Sequence, residues 1–159
     1  MSLKNFIFKT TGQVRNYATV PVQSVKKIEH TGIITITLPA NLPANQTVVA
    51  SFTLDPRYPS VSRLTIPKGE TWQIEDIYIT SAPSVDCIVR IVKNEREVIH
   101  ITPPVSTLDV SNPARPRLGV PITFSEYDTV TIEAINLANV GSSDVTITLY
   151  VKVVKYVPS

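Results

Sequence analysis

Cysteine is almost missing from this chain: Cys87 is the only one, so no disulfide can form within it and burial has to hold the fold together. Methionine occurs once, at position 1, and histidine twice, at His30 and His100. Two distant histidines and one cysteine do not form a zinc-ligand set at recognisable spacing. Glycine is scarce, 5 residues against 13 prolines, which points to loops set by the fixed φ of proline rather than by flexible turns. Few oxidisable residues and many loop prolines also occur in thermophile proteins, although the 18% charged content lacks their ion-pair signature. No apolar run approaches the roughly eighteen residues of a membrane helix. The opening MSLKNFIFKTTGQ lacks the apolar core of a signal peptide, so the mature chain is expected to start at residue 1 or 2. Glycine-rich phosphate loops, G-x-S-x-G, paired-carboxylate motifs and metal-ligand clusters are all missing from the sequence. The expectation is a protein that is not an enzyme, with no catalytic residues, metal, cofactor or small-molecule substrate.

What is present is a β-rich chain of 159 residues, 43% hydrophobic, long enough for one domain with a real core. Val, Ile and Thr make up roughly a third of it, a β-branched load that suits pleated, half-buried surfaces. The expected fold is all-β: a single-domain, jelly-roll-type antiparallel β-sandwich over residues 29–159, preceded by an extended basic arm over residues 1–28. The arm carries Lys4, Lys9, Arg15, Lys26 and Lys27, and the first acidic residue is Glu29. Taking those five from the 15 basic residues leaves ten against 13 acidic ones, so the arm is about +5 and the body about −3. Such an arm suits contact with nucleic acid or an anionic membrane face, and is equally readable as a solvated segment with spread charges.

Leu3–Thr10 reads as a short strand. Ile34, Ile36 and Leu38 alternate with threonines, and Val48, Ala50, Phe52 and Leu54 resume the pattern after PANLPAN, which predicts a hairpin with a seven-residue loop. Asn45-Gln46-Thr47 matches a glycosylation sequon, a short pattern that matters only in a glycosylating system. Ser62–Thr80 reads as two strands about Pro67-Lys68-Gly69-Glu70, with Trp72 and Ile74 facing the core. The phase then slips, because Ile77 and Ile79 fall on the opposite parity. A bulge at Glu75-Asp76 that re-aims the chain accounts for this, with Trp72 buried.

Cys87 sits on an apolar parity with Val89 and Ile91 and reads as a small core residue rather than a nucleophile. Lys93–Arg96 should close a tight hairpin, with His100 as an ordinary sheet histidine on its second strand. From Pro103 to Pro121 lies a proline-rich loop that excludes a long helix, with Arg115 and Arg117 as candidate contacts to acidic residues of a neighbour. The final strand, Asp144–Tyr156, alternates cleanly, and Lys152 and Lys155 read as charges that discourage edge pairing.

The order IPKGETWQIEDIYI, proline-rich loop, YDTVTIEAIN and DVTITLYVKVV resembles, in layout, the small single jelly-roll capsid proteins of icosahedral viruses of thermophilic archaea or bacteria. The likeness covers roughly residues 45–156. It implies a virion structural protein that self-assembles through sandwich edges and loops. Its partners would be copies of itself and other capsid proteins, and its arm would reach a neighbour, nucleic acid or an internal membrane. The alternative is a carbohydrate- or receptor-binding module, whose candidate stacking residues are Tyr58, Trp72 and Tyr78. A cellular surface-layer or appendage subunit would share the layout.

Overall fold

A computed structural model describes residues 24–111, 118 and 120–159. Among them are ten strands: β1 (Val25–Leu38), β2 (Thr47–Val49), β3 (Ser51–Thr53), β4 (Leu64–Thr65), β5 (Thr71–Tyr78), β6 (Cys87–Lys93), β7 (Glu97–Ile101), β8 (Ile122–Phe124), β9 (Thr129–Asn136) and β10 (Val145–Pro158). One 3₁₀ turn, Val105–Leu108, lies between β7 and β8. Two antiparallel sheets form, one ordered β3-β1-β10-β5-β8 and the other β2-β9-β6-β7, with β4 also on β9. Counting β3 with β2, from which only Ala50 separates it, and setting aside the two-residue β4, the remaining eight strands place the first, eighth, third and sixth in one sheet and the second, seventh, fourth and fifth in the other. That interleaving is the jelly-roll order.

The core lies between the sheets and follows the period-two pattern of the sequence. Ile34 and Ile36 of β1, Leu149 and Val151 of β10, Ile74 and Ile77 of β5, and Val130, Ile132 and Ala134 of β9 are all buried. Phe52, Trp72 and Phe124 are the largest apolar side chains fully enclosed. Burying an aromatic or aliphatic side chain of this kind contributes about 1.5–3 kcal/mol.

Trp72 is 1% exposed, and the predicted bulge is present. Asp76 pairs with Lys152 and Ile74 with Val153, so Glu75 is the extra residue opposite β10. That extra residue shifts the phase, so Trp72 and Ile74 before it and Ile77 and Ile79 after it share the same inward face. The β6–β7 hairpin also forms as expected, its tip turned by positive φ at Asn94 and Glu95.

Other expectations are corrected. Thr47–Leu54 does not return along β1 as a simple hairpin: β2 pairs with β9 in the opposite sheet, and only β3 comes back to β1. The chain crosses between sheets at Ala50, whose N–H donates to Ile132 O at 2.9 Å. Ala50, Phe52 and Leu54 stay inside throughout, because a strand that wraps a sandwich corner keeps one face inward.

Ser62–Thr80 is likewise not a hairpin. β4 joins β9, while β5 joins β10 and β8 in the other sheet. The turn between them is tied instead to the 125–128 loop: Gly69 N–H, at φ 78°, donates to Glu126 Oε1 at 2.6 Å, and Ile66 N–H to Asp128 O at 2.9 Å.

β1 starts at Val25, not near Ile33, because β10 is long enough to pair with it from Val25↔Pro158 to Leu38↔Val145. Lys26 and Lys27 therefore lie on a strand and not in an arm. The strand expected at Leu3–Thr10, and the rest of the arm, fall outside the described residues.

Candidate functional site

At the end of the sandwich where β1 begins and β10 ends, the inward parity changes character. Ile147, Leu149, Val151 and Val153 are followed by Lys155, which pairs with Ile28 on one side and Trp72 on the other. Its side chain is 2% exposed. β10 is an interior strand, so the expectation that Lys155 guards an edge is wrong: its parity aims it inward, and a buried carboxylate is there to receive it.

That carboxylate is Asp55, just beyond β3. Its Oδ2 accepts from Lys155 Nζ at 2.6 Å and from Arg57 Nη2 at 2.7 Å, and its Oδ1 accepts from Arg57 N–H at 3.0 Å and Nε–H at 3.1 Å. Burial pushes the Asp55 carboxyl up, but the hydrogen bonds from Arg57 and Lys155 outweigh it and hold the group well below the usual carboxylate range. His30 Nε2, opposite Val153 on β1, lies 3.6 Å from Asp55 Oδ2. Trp72 Nε1–H donates to Glu70 Oε1 at 2.8 Å, and that oxygen is 4.0 Å from Lys155 Nζ. The ammonium also sits 4.4 Å from the centroid of the Trp72 ring, within cation–π range. With both oxygens of Asp55 engaged, the cluster is a clamp that ties the corner after β3 to β10, with His30 of β1 and Trp72 of β5 packed against it.

Beside the clamp is a 190 Å³ cavity. Phe52, Leu54, Tyr58, Val61, Leu64 and Trp72 supply most of its wall. Phe52 and Val61 bridge each other through two backbone hydrogen bonds, which closes the 53–60 loop over it.

Elsewhere, the outer face of the β2-β9-β6-β7 sheet carries an Arg90–Glu133 ion pair at 2.6 Å. Its edge strand β7 exposes Val98 and Ile101. On the other sheet, Tyr78 and Tyr150 stack with ring centroids 5.7 Å apart.

Among the residues singled out from sequence, Lys26 and Lys27 are exposed at the start of β1, with Lys27 Nζ 3.7 Å from Glu29. Lys4, Lys9, Arg15, Arg115 and Arg117 lie outside the described residues. Cys87 is buried, and desolvation, helped by the neighbouring Asp86 charge, pushes its thiol up to about 12. His100 is half-buried on β7, and desolvation lowers its pKa. Of the proposed stacking aromatics, Trp72 is enclosed while Tyr58 is 52% exposed.

Sequence reasoning missed the clamp. One signal was available: Lys155 continues the inward parity of Val151 and Val153, and a lysine on a core parity calls for a buried carboxylate. Asp55, a hundred residues away, carries no such mark. No protein-family model matches this chain, and no curated protein matches it.

Proposed function

We propose that this chain is a structural protein of a virion, whose activity is self-assembly with copies of itself and with other capsid proteins. The observation that carries the reading is the jelly-roll order of the two sheets. The inference is one of analogy, since capsid proteins share this fold with lectins. Two further features fit it. Among the described residues β7 is an edge strand, with Val98 and Ile101 exposed on it, a surface onto which another chain can add. The basic residues of positions 1–28, of which Lys26 and Lys27 stand exposed where β1 begins, suit contact with a polyanion such as packaged nucleic acid or an internal membrane.

Sedimentation and electron microscopy of the purified chain test the reading, with Val98→Lys and Ile101→Lys as edge-blocking variants. Concentration-dependent particles or capsomers, reduced by either lysine while the fold survives, are the expected result. A chain that stays monomeric at high concentration, with and without nucleic acid, would remove the basis for the proposal.

A further inference from the structure

The cavity beside the clamp has the properties of a preformed receptor rather than a packing defect. At 190 Å³, with one side open to solvent past the half-exposed Tyr58, it has room for a single aromatic ring. Its walls are held from several directions. Trp72 is fixed by its Nε1–H bond to Glu70 at 2.8 Å and by the Lys155 ammonium. Asp55 is fixed by Arg57 and Lys155. The loop that carries Tyr58 is bounded by Pro56 and Pro59 and closed by the Phe52–Val61 bridge. A cavity collapses when its lining is free to move inward, and these restraints oppose that.

The lining also defines the ligand chemistry. Phe52, Leu54, Tyr58, Val61, Leu64 and Trp72 offer carbon surface. Both oxygens of Asp55 are taken, and Thr53 Oγ1 donates to Ser60 Oγ at 3.4 Å. A polar group directed into the wall, away from the open mouth, would therefore surrender its hydration without finding a partner.

We infer that this cavity is a binding site for a compact apolar small molecule, about the size of a single aromatic ring and without hydrogen-bonding groups. The site is independent of the assembly proposed above.

Trp72 is the only tryptophan in the chain and lies in the wall, so its fluorescence reports occupancy directly. The full chain is titrated with toluene and, in parallel, with phenol, exciting at the red edge of the indole band. Methyl resonances of Leu54, Val61 and Leu64 are followed by NMR. Toluene should bind saturably at one site and shift those methyls. Phenol, with a hydroxyl that finds no acceptor, should bind at least about tenfold more weakly. Leu64→Phe and Val61→Leu, which fill the space from two sides, should each cut toluene affinity at least about tenfold while unfolding cooperatively. Three results would overturn the inference: folded protein with no saturable toluene signal, phenol binding as tightly as toluene, or shifts confined to methyls away from the cavity. The last criterion applies to the wild-type chain, so it decides the matter even where a filling variant fails to fold.

Discussion

Lys155 and Asp55, a hundred residues apart in sequence, meet at 2.6 Å with their side chains 2% and 0% exposed, and so tie the last strand to the corner that follows β3. The two are not equivalent. Asp55 has a second cation in Arg57, whereas among the described residues Lys155 has only Glu70, at 4.0 Å, as another carboxylate within ion-pair range. Asp55→Ala strands a buried ammonium and should cost about 3–5 kcal/mol. Lys155→Met leaves Asp55 held by Arg57 and lays an apolar chain against Trp72, so its cost should be smaller, about 1–2 kcal/mol. The double variant Asp55→Leu/Lys155→Met should recover most of the loss. Urea unfolding of the four proteins measures this. Equal costs for the two single changes would show that Arg57 does not hold the carboxylate alone.

Acid should weaken the clamp in a defined direction. The folded-state pKa of Asp55 lies below its unfolded value of about 3.9, so in acid the unfolded chain binds the extra proton. The stabilisation is complete above about pH 4 and is lost as pH falls from there toward the folded value. Asp55→Asn has no carboxyl to titrate. The stability gap between wild type and Asp55→Asn should therefore shrink as pH falls below about pH 4. A gap that stays flat to about pH 2.5 would mean that Asp55 is not depressed.

The extra residue in β5 adds no pair to the ladder with β10, and its side chain adds little. Glu75 reaches Lys152 only at 4.0 Å, across a partly exposed surface. Glu75→Ala should change stability by less than about 1 kcal/mol. Deleting Glu75 removes the one residue of this stretch with no partner on β10, so Ile74 and Asp76 become neighbours opposite Val153 and Lys152, and Trp72, Ile74, Ile77 and Ile79 all keep the inward parity. The deletion should therefore keep cooperative thermal unfolding, whereas deleting Gln73, which pairs with Val154, should put Trp72 out of phase with Ile74 and lose it. A Glu75 deletion that unfolds without cooperativity would show that β5 needs the bulge itself and not only the inward parity.

The bulge was legible because apolar parity is recorded residue by residue, and a slip from Ile74 to Ile77 has few explanations in a half-buried strand. Burial of Trp72 and Cys87, and the β6–β7 hairpin, followed from the same local signal. What the pattern could not supply was partner choice. Alternation at Val48–Leu54 and at Leu64–Ile74 is satisfied equally by a hairpin within one sheet and by a crossing between two, since both keep the same side chains inside. The clamp was hidden for a related reason: Asp55 and Lys155 are brought together by the jelly-roll winding, and nothing near either residue in sequence marks the other.

Gly32 gives the sharpest test of how closely β3 and β1 approach. Glycine weakens a strand interior, and Gly→Ala there would ordinarily stabilise by about 0.5–1 kcal/mol. At position 32 the sign should reverse. A Cβ would lie 2.6 Å from Thr53 O and 2.7 Å from Val151 Cγ2. The valine can shift. The carbonyl cannot easily do so, because Thr53 pairs with Ile33 and Phe52 beside it is bridged to Val61. Gly32→Ala should therefore cost about 3 kcal/mol. Adding Val151→Ala to it should relieve only the side-chain part of the clash, leaving the double variant well below Val151→Ala alone in urea midpoint. If Gly32→Ala instead matched wild type, β3 would have to sit farther from β1, and the corner that delivers Asp55 to Lys155 would be looser than its 2.6 Å contact implies.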